Sequence, residues 1–166
     1  MGILDGVTTN PSLMAKEGHA LLLDCRDLST TQIPVNFSAS GLKLLIIDTQ
    51  AHHALIDGGY AERRTQCESA AKALGVKSLR DVDLSLLDSN STKLSALELK
   101  RARHVVYEIK RVIDAVAALE RNDFVTLGKL ISDSHNSLRV DYNVSAPELD
   151  LAVEVAIKNG ALGARM

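Results

Sequence analysis

Only two cysteines occur in 166 residues, Cys25 and Cys67, far apart in the chain. One sits in a strand-like run and the other in a helix-like run. That excludes a disulfide framework and points to reduced thiols in a cytosolic protein. Long apolar runs are also missing, and none approaches the roughly 18 residues that a membrane span requires. The N-terminus has no basic stretch followed by an apolar core, so no secretory signal is visible and a cytoplasmic location is expected. Charge of one sign is scarce too. A net charge of −2 supplies no electrostatic footprint for nucleic acid or an anionic membrane. No internal repeat and no low-complexity segment appears.

One further absence bears on chemistry. A glycine-rich loop opening a helix is the usual cradle for nucleotide phosphates, because its N–H groups and the helix dipole both face the anion. Walker spacing is found nowhere, and Asp57-Gly58-Gly59 is too short to serve.

The residues that are present describe an ordinary globular chain, 46% apolar and 24% charged. Its length suits one domain with a substantial core. Asn10-Pro11 with Gly18 frames a short helix, with a cap residue, a first-turn proline and a terminating glycine. Residues 20–25 and 42–48 are short continuous apolar runs closed by polar residues, the pattern of strands buried on both faces. Residues 33–37 alternate more and are expected to pair with one of them. After Tyr60 the period changes. Cys67, Ala70, Ala71 and Leu74 share a helical face with Tyr60, and Gly75 ends that helix. Residues 85–92 are polar and read as a loop. Ala102, Val105, Val106, Ile109, Val112, Ile113, Val116 and Leu119 define a long amphipathic helix, and Phe124, Leu127, Leu130, Ile131, Ser134 and Leu138 define another. Ser145 and Glu148 have capping-box spacing, with Pro147 in the first turn of a helix running to about Lys158. Strands come first and helices follow, so the expected class is α+β, with short β-strands followed by a block of α-helices.

Most single candidates have plain structural readings. His52 and His53 are adjacent, so their side chains diverge on a strand or a helix and cannot readily share one ion. No metal site is expected. His104 and His135 read as packing or hydrogen-bonding residues. Arg63-Arg64 and Arg101 with Arg103 read as solvated helix faces, with Glu62–Gln66 and Glu108–Arg111 pairing nearby.

Larger blocks carry more. HALLLDCR from His19, GLKLLIIDTQAHHAL from Gly41, DGGYAERRTQCE from Asp57, GVKSLRDV from Gly75, RARHVVYEIKRV from Arg101, SHNSLRVDYNVSAPELD from Ser134 and the terminal GALGARM occur in one order. Together they resemble the C-terminal half of galactokinases, members of the GHMP group of small-molecule kinases. The departures are local: Asn143 stands where the family usually has Glu, Ala146 where Cys is usual, and Ile109 where Asn is common. The resemblance implies a GHMP-kinase C-terminal lobe over residues 19–166, truncated because the family continues past GALGARM into a glycine-rich segment. It implies transfer of the γ-phosphate of ATP to the anomeric hydroxyl of galactose, with ATP and Mg2+ as cofactors. The family's own GLGSSA-like loop is not found, so no cofactor-binding residue is assigned. An isolated lobe of this kind is expected to self-associate through exposed apolar surface.

Residues 1–18, MGILDGVTTNPSLMAKEG, resemble instead the start of a transaldolase or fructose-6-phosphate aldolase, and form an atypical N-terminal segment. Lys16 does not suit the Schiff-base role of such enzymes, whose lysine lies on a later barrel strand. By resemblance Tyr60 matches the family tyrosine that packs against or hydrogen-bonds to galactose; its bland reading is a half-buried residue at a helix start. Asp5 can stand for the catalytic aspartate of the family's GIMDQ segment, for the aldolase aspartate, or for a turn residue. Three classes stay open: a sugar kinase, a non-catalytic GHMP-type domain or remnant, and a transaldolase-type enzyme, which needs an eight-stranded barrel.

Overall fold

A computed structural model describes residues 18–50 and 59–166. The helix expected after Asn10, together with Asp5, Lys16, His52 and His53, lies outside the described residues. The chain opens with a hairpin: β1 (His19–Leu23) pairs antiparallel with β2 (Thr30–Pro34), in a register that sets Ala20 opposite Ile33. Helices follow: α1 (Gly59–Ala73), α2 (Leu84–Ser89), α3 (Ala96–Glu120), α4 (Phe124–Ser137) and α5 (Pro147–Lys158). The class is α+β, as the strand-then-helix order implies.

α3 organises the rest. At 25 residues it is about 37 Å long at 1.5 Å per residue, long enough to serve two cores. Its first half places Ala102, Val105 and Val106 against Cys67, Ala70, Ala71 and Leu74 of α1, with Leu79, Val82 and Leu87 closing the cluster. Its last turns place Ala118 and Leu119 against Ala20, Ile33 and Val35 of the hairpin and against Phe124 and Leu127 of α4. A capping box starts α3: Glu98 N–H donates to Ser95 Oγ at 3.2 Å and Ser95 N–H to Glu98 Oε2 at 2.9 Å. The hairpin is tied to the helices by a bidentate Arg80–Asp24 pair and by Arg26 donating to Asp81 at 2.9 Å.

Four local expectations are corrected. Residues 42–48 form no strand, because a strand exists only with a partner and the described residues supply none. Residues 85–92 are not a plain loop. Asp83 caps α2 by accepting from Leu86 N–H at 2.7 Å, and Leu87 is buried in the core, so one apolar anchor outweighs the polar neighbours. Ser145 does not cap α5. Ala146 holds the cap position while the Ser145 hydroxyl turns to Asp150. Finally, Arg101 is buried and Arg63 half-buried rather than fully solvated; both are drawn into the helix interface described next.

Candidate functional site

α1 begins at Gly59, so Tyr60 lies in its first turn. What holds this end of the helix is Arg63. Its guanidinium donates back to the Gly59 carbonyl at 3.0 Å and across to the carbonyls of Tyr142 at 3.2 Å and Asn143 at 2.7 Å. Those carbonyls belong to an irregular turn after α4. Residues Leu138–Tyr142 widen into a π-helical turn, and Asn143 ends it in the left-handed conformation at φ 58°. Asparagine tolerates that backbone better than most residues, because its short polar side chain bonds locally. A π-turn frees carbonyls from the helix ladder, and the arginine fork satisfies two of them.

Behind this contact lies a buried polar cluster. Arg101, 4% exposed, donates to Gln66 Oε1 at 2.7 Å and to the Asp141 carbonyl, with its guanidinium carbon 5.9 Å from the Tyr142 ring centre. His104, 2% exposed, stacks on the same ring at 4.4 Å between centroids. Its Nδ1 is 3.0 Å from Ser137 Oγ, which in turn donates to Asp141 at 3.2 Å. Because Ser137 spends its proton on the carboxylate, Nδ1 is the donor. Burial, then the nearby Arg111 charge, pushes the His104 pKa down to about 4. Burial raises the pKa of both the Tyr142 hydroxyl and the Cys67 thiol, which share this cluster. Burial likewise lowers that of Arg101. These groups clamp α1, α3 and the π-turn together; none is poised to exchange protons near neutral pH.

The C-terminal tail docks on α4 through an approach only glycine permits. A Cβ on Gly128 would stand 2.1 Å from the Leu162 carbonyl oxygen, and one on Gly163 the same distance from that of Gly128. Three tail residues then reach α4 in turn. Ala164 N–H donates to Ser132 Oγ at 3.4 Å, Arg165 to Ser134 Oγ at 3.1 Å, and Met166 N–H to His135 Nδ1 at 3.4 Å. His135 Nε2 lies 3.3 Å from Asp150, tying α5 to the same helix.

Four of the five described helix starts are poorly suited to a nucleotide phosphate. No group of three His, Cys, Asp or Glu among them could hold an ion. The starts of α2, α3 and α4 have amides already taken by Asp83, Ser95 and Asp123 side chains, and α5 opens with Glu148 and Asp150, whose charges oppose phosphate. A cleft of about 920 Å³ lies beside the hairpin, lined by Val35, Phe37, Leu42 and Leu119 among others, with no residue of α1 among its described lining. No helix among the described residues is long and apolar enough to cross a membrane.

Comparison with known proteins places this arrangement. The family model for GHMP kinases C terminal matches residues 115–166, which span the end of α3, α4, the π-turn, α5 and the tail. A galactokinase of Streptomyces coelicolor is 45% identical over the whole chain and 43% of its own length. A human galactokinase is 47% identical over 93% of the chain and 39% of its own length. The solved structure of Lactococcus lactis galactokinase complexed with galactose superposes with a TM-score of 0.78 at 31% identity, covering 90% of this chain and 39% of that one. The chain belongs to the GHMP kinase family, as a C-terminal portion of galactokinase type. It spans about two fifths of the length of the relatives it matches. Membership in the GHMP kinases accounts for the strand-then-helix order and leaves the transaldolase reading without support from the fold.

Of the two named site residues, Tyr60 falls in the first turn of α1 and Asp5 lies outside the described residues. The residues that sequence reasoning missed are Arg63 and Arg101. A signal for Arg63 was present: residues 63, 67, 70, 71 and 74 lie at helical spacing along one face, so this arginine heads the buried stripe rather than the solvated one. Arg101 stands one turn before the buried Val105 in the same way.

Proposed function

We propose that this chain supplies the C-terminal part of a galactokinase-type sugar kinase, which transfers the γ-phosphate of ATP to the anomeric hydroxyl of galactose. The observation that carries the reading is the alignment of the whole chain with galactokinases at about 45% identity. In this reading residues 19–166 are the galactokinase-like domain, residues 1–18 are an atypical lead into it, and the setting is cytoplasmic. Tyr60 contributes a sugar contact, and Arg63 holds the helix end that carries it. Asp5 is the candidate catalytic aspartate. ATP and Mg2+ are the cofactors of the complete enzyme, and their phosphate site belongs to polypeptide other than the residues described. Phosphoryl transfer depends almost wholly on positioning and on charge stabilisation around the phosphates, so a chain without that cradle does not turn over by itself.

With galactose, ATP and magnesium, the purified chain is expected to release no ADP above background. Galactose-dependent turnover at about 1 per second, the low end for ordinary enzymes, refutes this division of labour. Tyr60 is tested after the remaining galactokinase portion is added back. A single contact worth about 1 kcal/mol predicts a roughly fivefold rise in KM for galactose in Tyr60→Ala. An unchanged KM removes Tyr60 from the sugar site.

A further inference from the structure

The tail is fastened to α4 through one titratable acceptor. His135 is 6% exposed, and both of its ring nitrogens are engaged. Nδ1 accepts from Met166 N–H at 3.4 Å, which requires that nitrogen to carry no proton. The neutral ring therefore holds its proton on Nε2, 3.3 Å from Asp150 Oδ1. The other two contacts of the tail end fall on hydroxyls, which do not titrate: Ala164 N–H on Ser132 and Arg165 on Ser134. The crossing of Gly163 over Gly128 fixes where the tail arrives and involves no ionisable group.

Charges face the ring from several elements. Burial opposes its protonated form most, Asp150 of α5 favours that form, and Arg139 of the π-turn and Arg165 of the tail oppose it. Arg165 Nε also donates to the Met166 main-chain oxygen at 3.0 Å. On α3, Glu108 pairs with Arg111 and accepts from Ser134 at 2.6 Å, while His104 is turned to Ser137 and Tyr142. Coupling between charges is reciprocal. A proton on His135 therefore repels Arg165 as strongly as Arg165 disfavours that proton.

We propose that His135 is a pH-sensitive latch: proton uptake at Nδ1 removes the acceptor of Met166 N–H, sets like charges together at Arg165, and releases residues 164–166 from α4. The proton comes from solvent, Nε2 keeps its own, and Asp150 holds the charged ring in place. Gly163 and the residues before it stay docked, because the crossing at Gly128 does not titrate. The latch opens below the ordinary histidine value of 6.5, since burial holds the ring's pKa down. It depends on contacts within this chain alone and stands whether or not the galactokinase reading holds.

The test follows the full 166-residue chain, labelled with nitrogen-15, by NMR from about pH 7.5 down to about pH 4.5, a range that brackets the ordinary histidine value. At the upper end the His135 ring is expected as the Nε2-protonated tautomer, with the Ala164 and Met166 amides ordered at an order parameter of about 0.85. As the ring titrates, both amides are expected to fall below about 0.6 with the same midpoint, while the amides of α3 and Leu162 stay ordered. Asp150→Asn removes the charge that favours the proton and is expected to move the midpoint down by about one pH unit. His135→Asn offers an amide oxygen in place of Nδ1 and takes up no proton, so its tail is expected to stay ordered for as long as α3 is folded. A chain ended in an amide instead of a carboxylate is expected to release its tail as the parent does, because the bond that is lost is the one to Nδ1. A ring protonated on Nδ1 at the upper end, or tail amides that stay ordered after the ring has titrated, overturns the proposal. So does loosening only in step with the unfolding of α3, equal loosening in His135→Asn, or an unmoved midpoint in Asp150→Asn.

Discussion

Acidification destabilises this chain through His104, and the size of the effect follows from its burial. The ring is neutral, stacked on Tyr142 and bonded to Ser137, with a pKa pushed from 6.5 down to about 4, chiefly by burial and then by Arg111. A histidine whose folded pKa is depressed costs nothing above pH 6.5, where both states are neutral. Between pH 6.5 and about 4 the unfolded chain takes up a proton that the folded chain refuses. Stability then falls by about 1.4 kcal/mol per pH unit. Across the window the loss comes to about 3 kcal/mol, a large share of the roughly 5–15 kcal/mol typical of a domain. Below about pH 4 both states are protonated and this slope ends. His135, also lowered mainly by burial, adds in the same direction. Asp24 acts further down: hydrogen bonds from Arg80 and the Arg26 amide hold it at about 2, so its contribution is lost only between about pH 4 and pH 2. Urea unfolding followed by circular dichroism at pH 7.5, 6.5, 5.5 and 4.5 reads the window directly. His104→Gln keeps an amide donor for Ser137 and cannot titrate. It is expected to be less stable at pH 7.5, through loss of the stacked ring, and to show a much flatter decline towards pH 4.5. A decline of the same steepness in His104→Gln refutes the assignment.

Two substitutions probe the backbone contacts. Gly128→Ala is expected to detach the tail, since a methyl cannot occupy a space 2.1 Å from the Leu162 carbonyl oxygen. Hydrogen exchange would then show lost protection at Ala164 and Met166, with a stability cost of about 1–3 kcal/mol; retained protection contradicts the crossing. At Asn143, whose φ is 58°, Ala is expected to cost about 1 kcal/mol in a thermal or urea melt and Gly little or nothing. Equal effects would show that the turn is not constrained in this way.

What could be read from residues alone is what local chemistry dictates. The helix of residues 96–120 announces itself through apolar side chains every three and four positions. α1 stops at Gly75 in the left-handed conformation, and strand patterns precede helical ones, which is enough for an α+β class. Long ordered blocks carried the galactokinase resemblance. Tertiary structure decided everything that depends on a partner far along the chain. Residues 42–48 have the composition of a strand, but hydrogen bonds to a neighbour make a strand, and the described residues offer none. Arg63 and Arg101 look like surface arginines until a π-turn about 80 and 40 residues later presents carbonyls that their guanidinium groups satisfy. Ser145 has the spacing of a cap, yet Asp150 claims its hydroxyl. Gly128 and Gly163 are unremarkable in isolation, and only their crossing shows why neither can carry a side chain. Local sequence sets which backbone shapes are cheap; which of them persist is settled by the long-range contacts that satisfy the polar groups those shapes leave open.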